Sequence, residues 1–287
     1  MTTRDPAGVE RRRLFAEEAR AERPDLARLC LLLGAEEPGP GRDGSGPDPY
    51  GIDAAEIELD RLAGELPYGT RSPGDWAAAL ADLLGGRYGF GGAAPEYRRL
   101  ESSLLQEVLR RRRGLPILLS VVWMEVARRA GAPVHGVALP GHFVVAFGDA
   151  HDRVLADPFA GGVTLSGQDA RALVAGATGS WPSGTERAWE PARPLEVVSR
   201  VLTNIRVWAE ARPERSDVSL WALDLSLLLP SHPARLRFER ARVLVRRGDY
   251  LAGARAMEEY ADVVAGVEPA SAELIRGEAR AARSLLN

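Results

Sequence analysis

The sequence contains no lysine: all 37 basic residues among its 287 are arginine. That excludes chemistry built on a lysine amine, whether as Schiff base, general base or acyl acceptor. It contains one cysteine, Cys30, so an internal disulfide and a multi-cysteine zinc site are both excluded. A reducing cytosol is the natural compartment for such a chain. Long apolar runs are missing as well. The most apolar stretch, PILLSVVWM from Pro116 to Met124, is far short of a membrane span. The N-terminal residues show no apolar signal-peptide core. A cytoplasmic protein with no membrane partner is expected. Nor is there a strong excess of one charge: 40 acidic residues stand against the 37 arginines, with a pI near 5.9. No general attraction to nucleic acid follows from that balance. What remains, 45% hydrophobic and 27% charged residues, is the composition of a globular protein with ample core.

Residues 8–34 have a helical pattern, with Leu14, Leu26, Leu29, Leu31 and Leu32 as inward positions. Cys30 lies inside this apolar patch and reads as a small buried hydrophobe rather than a reactive thiol. Residues 36–51, rich in Gly, Pro and Asp, read as a surface loop. A second helix is expected over Ile52–Leu66 with Ile57, Leu59, Leu62 and Leu66 as its stripe. A third is expected over Ser72–Leu84, opened by a Ser-Pro pair suited to an N-cap and first turn. GGRYGFGGAAPEY, residues 85–97, lacks a preceding strand and the phosphate-loop spacing, so it reads as a plain loop. The helix expected over Glu101–Arg112 places Leu104, Leu105, Val108 and Leu109 on one face, with Gly114 as its cap. The arginine run 110–113 reads as a solvated helix end.

The central stretch, residues 110–162, carries the chemistry. Pro116 stands where a first-turn proline belongs. From Ile117 to Val126 nearly every residue is apolar, which predicts a buried helix reaching the surface at Glu125, Arg128 and Arg129 and ending at Gly131. Three strands follow: HGVAL (135–139), HFVVAF (142–147) and RVLAD (153–157). Short turns between them predict an antiparallel meander, and the fold class is α+β. His142 opens one strand and Asp157 closes the next, which brings an imidazole and a carboxylate to one end of the sheet. Such a pair suits a nucleophile–base site, and equally suits a buried link between two strands.

RRRGLPILLS, EVARRAGAP, LPGHFVV and DPFAGG, in this order, resemble the transglutaminase-like superfamily, and within it the SirB-type bacterial branch, in which such a core precedes tetratricopeptide-like helices. The resemblance runs from about Leu26 to the C-terminus. It implies a Cys–His–Asp triad with the cysteine at the start of the buried helix. His142 and Asp157 match the histidine and aspartate, but the cysteine position falls on or about Pro116, which has no nucleophile. Ser120, one turn further along the same face, and Cys30 are the candidate substitutes. His135 and His151 match no zinc spacing beside His142, so neither metal nor other cofactor is expected.

Residues 166–192, with Trp181 and Trp189, read as a polar connector. From Pro194 the chain reads as helical to its end. PARLRFERARVLVRRGDYLAGARAMEEY resembles a tetratricopeptide repeat. The expected plan is a transglutaminase-like domain over 1–192 and a tetratricopeptide-like region over 193–287. The first comprises a helical part 8–112, a core 113–165 and the connector 166–192. The expected function is a non-catalytic scaffold or regulatory module with a protein or peptide partner. The alternative is a hydrolase or acyl-transferase that uses His142 and Asp157 with a non-standard nucleophile. The sequence leaves oligomeric state open.

Overall fold

The computed structural model describes residues 6–37, 51–69, 71–149, 151–180 and 189–285. Most of the loop read at 36–51, and Trp181, lie outside the described residues. The chain gathers into two compact units, one spanning Glu22–Val201 and the other joining the residues up to Ala21 with those from Leu202 onward.

The single helix expected over 8–34 is two, α1 (Pro6–Glu18) and α2 (Leu26–Gly34). Pro24 breaks the pattern, and the Asp25 side chain caps α2 by accepting from the Arg28 backbone N–H at 2.9 Å. In the first unit α2 packs with α3 (Ile52–Gly64), α5 (Leu105–Arg111) and α6 (Pro116–Arg129). Leu59 and Leu62 of α3 are buried, whereas Ile57, expected on the same stripe, is 67% exposed. The third expected helix is α4 (Pro73–Leu80), capped by a reciprocal Ser72–Asp75 box and continued by a π-helical turn over Ala81–Arg87.

Three expectations around α5 and α6 are corrected. The cap of α5 is Arg112, at φ 58°, and not Gly114. A side chain on Gly114 would meet Val108 at 2.7 Å, so packing accounts for that glycine. The arginine run is a solvated end only in part, since Arg110 and Arg113 are exposed but Arg111 and Arg112 are half-buried. Arg111 pairs with Glu96 at 2.8 Å and Arg112 with Glu58 at 2.5 Å, while Arg110 holds Glu107 and Arg113 donates to the Gly89 carbonyl. Nor does Glu125 reach the surface. Its carboxylate is buried and takes Arg128 at 2.7 Å together with Arg129.

The sheet is antiparallel, in the order β1 (Val134–Val137), β2 (Val144–Phe147), β3 (Val154–Asp157) and β4 (Val163–Leu165). The sequence reading contained the first three strands and missed the fourth, which is only three residues long. Helix α6 packs on β1 and β2. Helix α7 (Gly167–Thr178) buries Ala170 and Val174 against Val137, Val144, Ala146 and Leu155. All four residues of β2 are apolar and buried, with α7 on one side and α6 on the sheet as well. Helix α7 corrects the reading of 166–192 as connector. Its signal was a capping box, with Ser166 accepting from the Asp169 N–H at 3.1 Å and Asp169 accepting in return at 2.9 Å.

Helix α8 (Pro194–Glu210) gives its first residues to this unit and the rest to the second, which also holds α9 (Ser216–Leu228), α10 (Arg235–Arg246), α11 (Tyr250–Ala265) and α12 (Pro269–Ser284). Between α10 and α11, Gly248 adopts φ 86° and Asp249 caps α11. A side chain on Gly253 would meet Val245 at 2.5 Å, so the small residue sets how closely the two helices approach. Ala241, Ala254, Met257, Ala261, Ile275 and Ala279 form the core of this helical stack. Helix α1 packs on α9, where Asp224 takes Arg12 at 2.8 Å and Arg240 at 2.5 Å.

Candidate functional site

The turn between β1 and β2 is Leu139-Pro140-Gly141-His142. Gly141 takes φ 71°, which a side chain would resist, and the His142 N–H donates to the Leu139 carbonyl at 3.2 Å. Two outside groups hold this turn. Arg200 of α8 donates through Nη2 to the carbonyls of Leu139 at 2.9 Å and His142 at 2.8 Å, and the Ser120 hydroxyl of α6 donates to the Phe143 carbonyl at 3.3 Å.

The register of β2 and β3, with Val145 opposite Ala156, carries Asp157 alongside the residues just before β2. There Asp157 Oδ2 meets His142 Nε2 at 3.1 Å, and its Oδ1 accepts from the Phe159 N–H at 2.9 Å. His142 is 8% exposed and Asp157 2%. A carboxylate on Nε2 selects the tautomer with its proton on that nitrogen and leaves Nδ1 as an acceptor. Among the described residues Nδ1 has no hydrogen-bond partner. Phe159 stands edge-on to the imidazole at 6.0 Å, and Tyr97 tilts against Phe159 at 6.0 Å. Burial raises the Tyr97 hydroxyl pKa, Asp157 raises it further, and Arg200 opposes both.

The glycine-rich stretch supports this corner. Residues 85–97 are not a plain loop throughout, since the π-helical turn over Ala81–Arg87 and a 3-10 turn over Ala94–Arg98 reach into their two ends. The Gly92 N–H donates to the Phe159 carbonyl at 2.9 Å. A side chain on Gly92 would meet the Phe159 ring at 1.9 Å, and one on Gly85 the Gly161 carbonyl at 1.9 Å. The glycines thus bring this stretch against the segment that follows Asp157.

The candidate nucleophiles lie apart from this arrangement chemically. Pro116 is the first residue of α6 and is buried. The Ser120 hydroxyl is spent on the Phe143 carbonyl. Cys30 is buried in α2, and burial, then Glu125 and Asp25, push its thiol pKa up, away from the thiolate. His135 lies half-buried on β1, opposite Ala146, and His151 is exposed in the turn after β2. Among the described residues no group of three His, Cys, Asp or Glu side chains is placed to hold a metal ion. Tyr97, Phe159 and Arg200 were absent from the sequence reading. Arg200 lies 58 residues from His142, and no local pattern couples them.

A sequence profile described as the transglutaminase-like superfamily matches residues 53–203, more than half of the chain, and a tetratricopeptide repeat profile matches 205–287. A UPF0162 protein of Xylella fastidiosa is 34% identical over 165 residues, which cover 56% of this chain and 58% of that protein. A UPF0162 protein of Vibrio cholerae is 25% identical over 191 residues, covering 65% and 70%. The chain thus spans 58% of the length of the first of these relatives. Among solved structures, the crystal structure of menin that shows its Mixed Lineage Leukemia protein site covers 88% of this chain and 69% of its own, at 12% identity and a TM-score of 0.42. A likeness that low carries no argument. The profile over more than half the chain places the protein in the transglutaminase-like superfamily, with tetratricopeptide repeats after the transglutaminase-like domain.

Proposed function

We propose that this protein is a non-catalytic scaffold or regulatory module, in which a transglutaminase-like domain over residues 1–192 is joined to a protein-binding helical region over 193–287. One observation carries the reading. The free ring nitrogen of His142 has no thiol or hydroxyl bonded to it among the described residues, and Pro116 opens the helix at the point where the family pattern puts cysteine. A base without a nucleophile does not attack. Tetratricopeptide repeats generally mediate contacts between proteins, which supports a protein or peptide partner. Among the described residues no helix is long and apolar enough to cross a membrane.

The intact His142–Asp157 bond favours a second reading, a hydrolase or acyl-transferase in which Ser120, Cys30 or a group on the substrate supplies the nucleophile. Wild-type protein and His142→Ala, compared on ester and amide substrates and in affinity capture, separate the two. The scaffold reading expects no turnover that the substitution removes, and the proteins bound through the helices after residue 193 retained by both forms. Turnover lost in His142→Ala with the fold intact makes the protein an enzyme.

A further inference from the structure

Arg200 is a largely buried cation without a carboxylate. Its Nη2 donates to the carbonyls of Leu139 and His142, and its guanidinium lies 5.7 Å from the Phe143 ring centroid, yet no acidic side chain among the described residues pairs with it. Other partly buried arginines of this unit are neutralised: Arg111 by Glu96 at 2.8 Å and Arg129 by Asp60 at 2.7 Å. Burying a charge without a counter-charge is costly. Burial accordingly lowers the Arg200 pKa, and Tyr97 offsets this in part. The guanidinium nevertheless stays protonated.

Two carbonyl bonds use one nitrogen. Nε and Nη1 find no acceptor among the described residues, and neither is sealed from solvent. Two donors, on opposite edges of the guanidinium, are therefore left unused beside His142, within the electrostatic reach of the exposed Tyr97 side chain. A singly charged carboxylate suits such a cation, accepting from one of the two remaining N–H groups. A dianion suits it less, because Asp157 already places a carboxylate in the same corner. The imidazole Nδ1, an acceptor in the tautomer that Asp157 selects, wants a donor rather than a second anion.

We propose that Arg200 and Tyr97 bind the carboxylate of a peptide's free C-terminus, while His142 Nδ1 accepts from the terminal amide N–H of the same peptide. The proposal rests on reading the His142 corner as a binding site rather than a reacting one. It differs from contacts made by the tetratricopeptide helices, since all three residues lie in the other compact unit.

The test uses the full chain, with the His142 ring nitrogens observed by NMR. The probes are N-acetylated tripeptides with free C-terminal carboxylates, the same mixture with C-terminal amides, and acetate. The free acids are expected to shift the His142 Nδ1 resonance and to bind at least about tenfold more tightly than the amides. Arg200→Gln is expected to weaken binding about tenfold or more, and Tyr97→Phe about three- to tenfold. Because Arg200 also holds the Leu139–His142 turn, Tyr97→Phe, on an exposed side chain, supplies the variant whose fold is not at risk. Equal binding of acids and amides, no binding of either, or binding unchanged by Tyr97→Phe overturns the proposal. Acetate binding as tightly as the tripeptides makes the ligand a small free acid and overturns the peptide assignment. Cleavage or acylation of a bound peptide would contradict the non-catalytic reading instead, and leave the carboxylate site standing.

Discussion

His142 Nε2 and Asp157 Oδ2 lie 3.1 Å apart, and the same carboxylate holds the Phe159 N–H at 2.9 Å through its other oxygen. One buried side chain therefore orients the imidazole and fixes the turn after β3. Asp157→Ala removes both bonds and leaves the Phe159 N–H unpaired, with an expected loss of about 2–3 kcal/mol in denaturant unfolding. Asp157→Asn can keep the Phe159 bond, but its amide donates where the carboxylate accepted. Nitrogen NMR of His142 is expected to show the proton on Nε2 in the wild-type protein and on Nδ1 in Asp157→Asn. The same tautomer in both would mean that Asp157 does not set it.

Two adjacent glycines should respond differently to alanine. At Gly85 the new methyl would lie 1.9 Å from the Gly161 carbonyl, a backbone atom that cannot rotate away, whereas at Gly86 the nearest atom is 3.7 Å off. Gly85→Ala is expected to cost about 1–3 kcal/mol by overpacking, and Gly86→Ala to stay within about 0.5 kcal/mol of wild type or to stabilise slightly. Thermal unfolding of the two variants checks this. Equal effects would mean that residues 85–97 do not depend on the close approach.

Cys30 is closed to solvent and its thiol is pushed up by burial, with Glu125 and Asp25 adding to the effect. Native protein at about pH 8 is expected to resist iodoacetamide for hours, and to alkylate within minutes in guanidinium chloride. Mass spectrometry reads the outcome. Rapid alkylation without denaturant would show α2 opening easily.

His135 supplies a pH dependence. Burial, and then the nearby Arg153, lower its pKa in the folded chain below the ordinary 6.5. The unfolded chain thus takes up this proton first as pH falls, so the stability from a neutral His135 is full above about pH 6.5 and declines as pH drops through and below that value. His135→Gln is expected to flatten the fall in urea-measured stability between about pH 7.5 and 5.5. An unchanged slope would assign the dependence to other groups.

The three longer strands and α6 were legible in the sequence because each carries its own pattern: an apolar run opened by Pro116, and short strand-like segments divided by Pro140-Gly141 and by the polar turn at 148–152. Pairing His142 with Asp157 needed only adjacent antiparallel strands. Arg200 was not legible, because its bonds to the Leu139–His142 turn come from a helix far along the chain and involve only backbone acceptors. Glu125 misled for a related reason. A charge on an apolar helix signals surface only until its neutralising partners are known, and here they are Arg128 and Arg129, on the same helix. Helix α7 was overlooked although Ser166 and Asp169 announce its start, since its glycines and its few apolar residues resemble a connector.

Whether any nucleophile serves His142 is tested most directly by labelling the native chain with electrophilic acyl and fluorophosphonate probes at neutral pH, then mapping adducts by mass spectrometry. A chain whose Ser120 hydroxyl is bonded to the Phe143 carbonyl and whose Cys30 is buried is expected to give no adduct at either residue. A stoichiometric adduct on Ser120 or Cys30 that disappears in His142→Ala would contradict the non-catalytic assignment and identify the nucleophile.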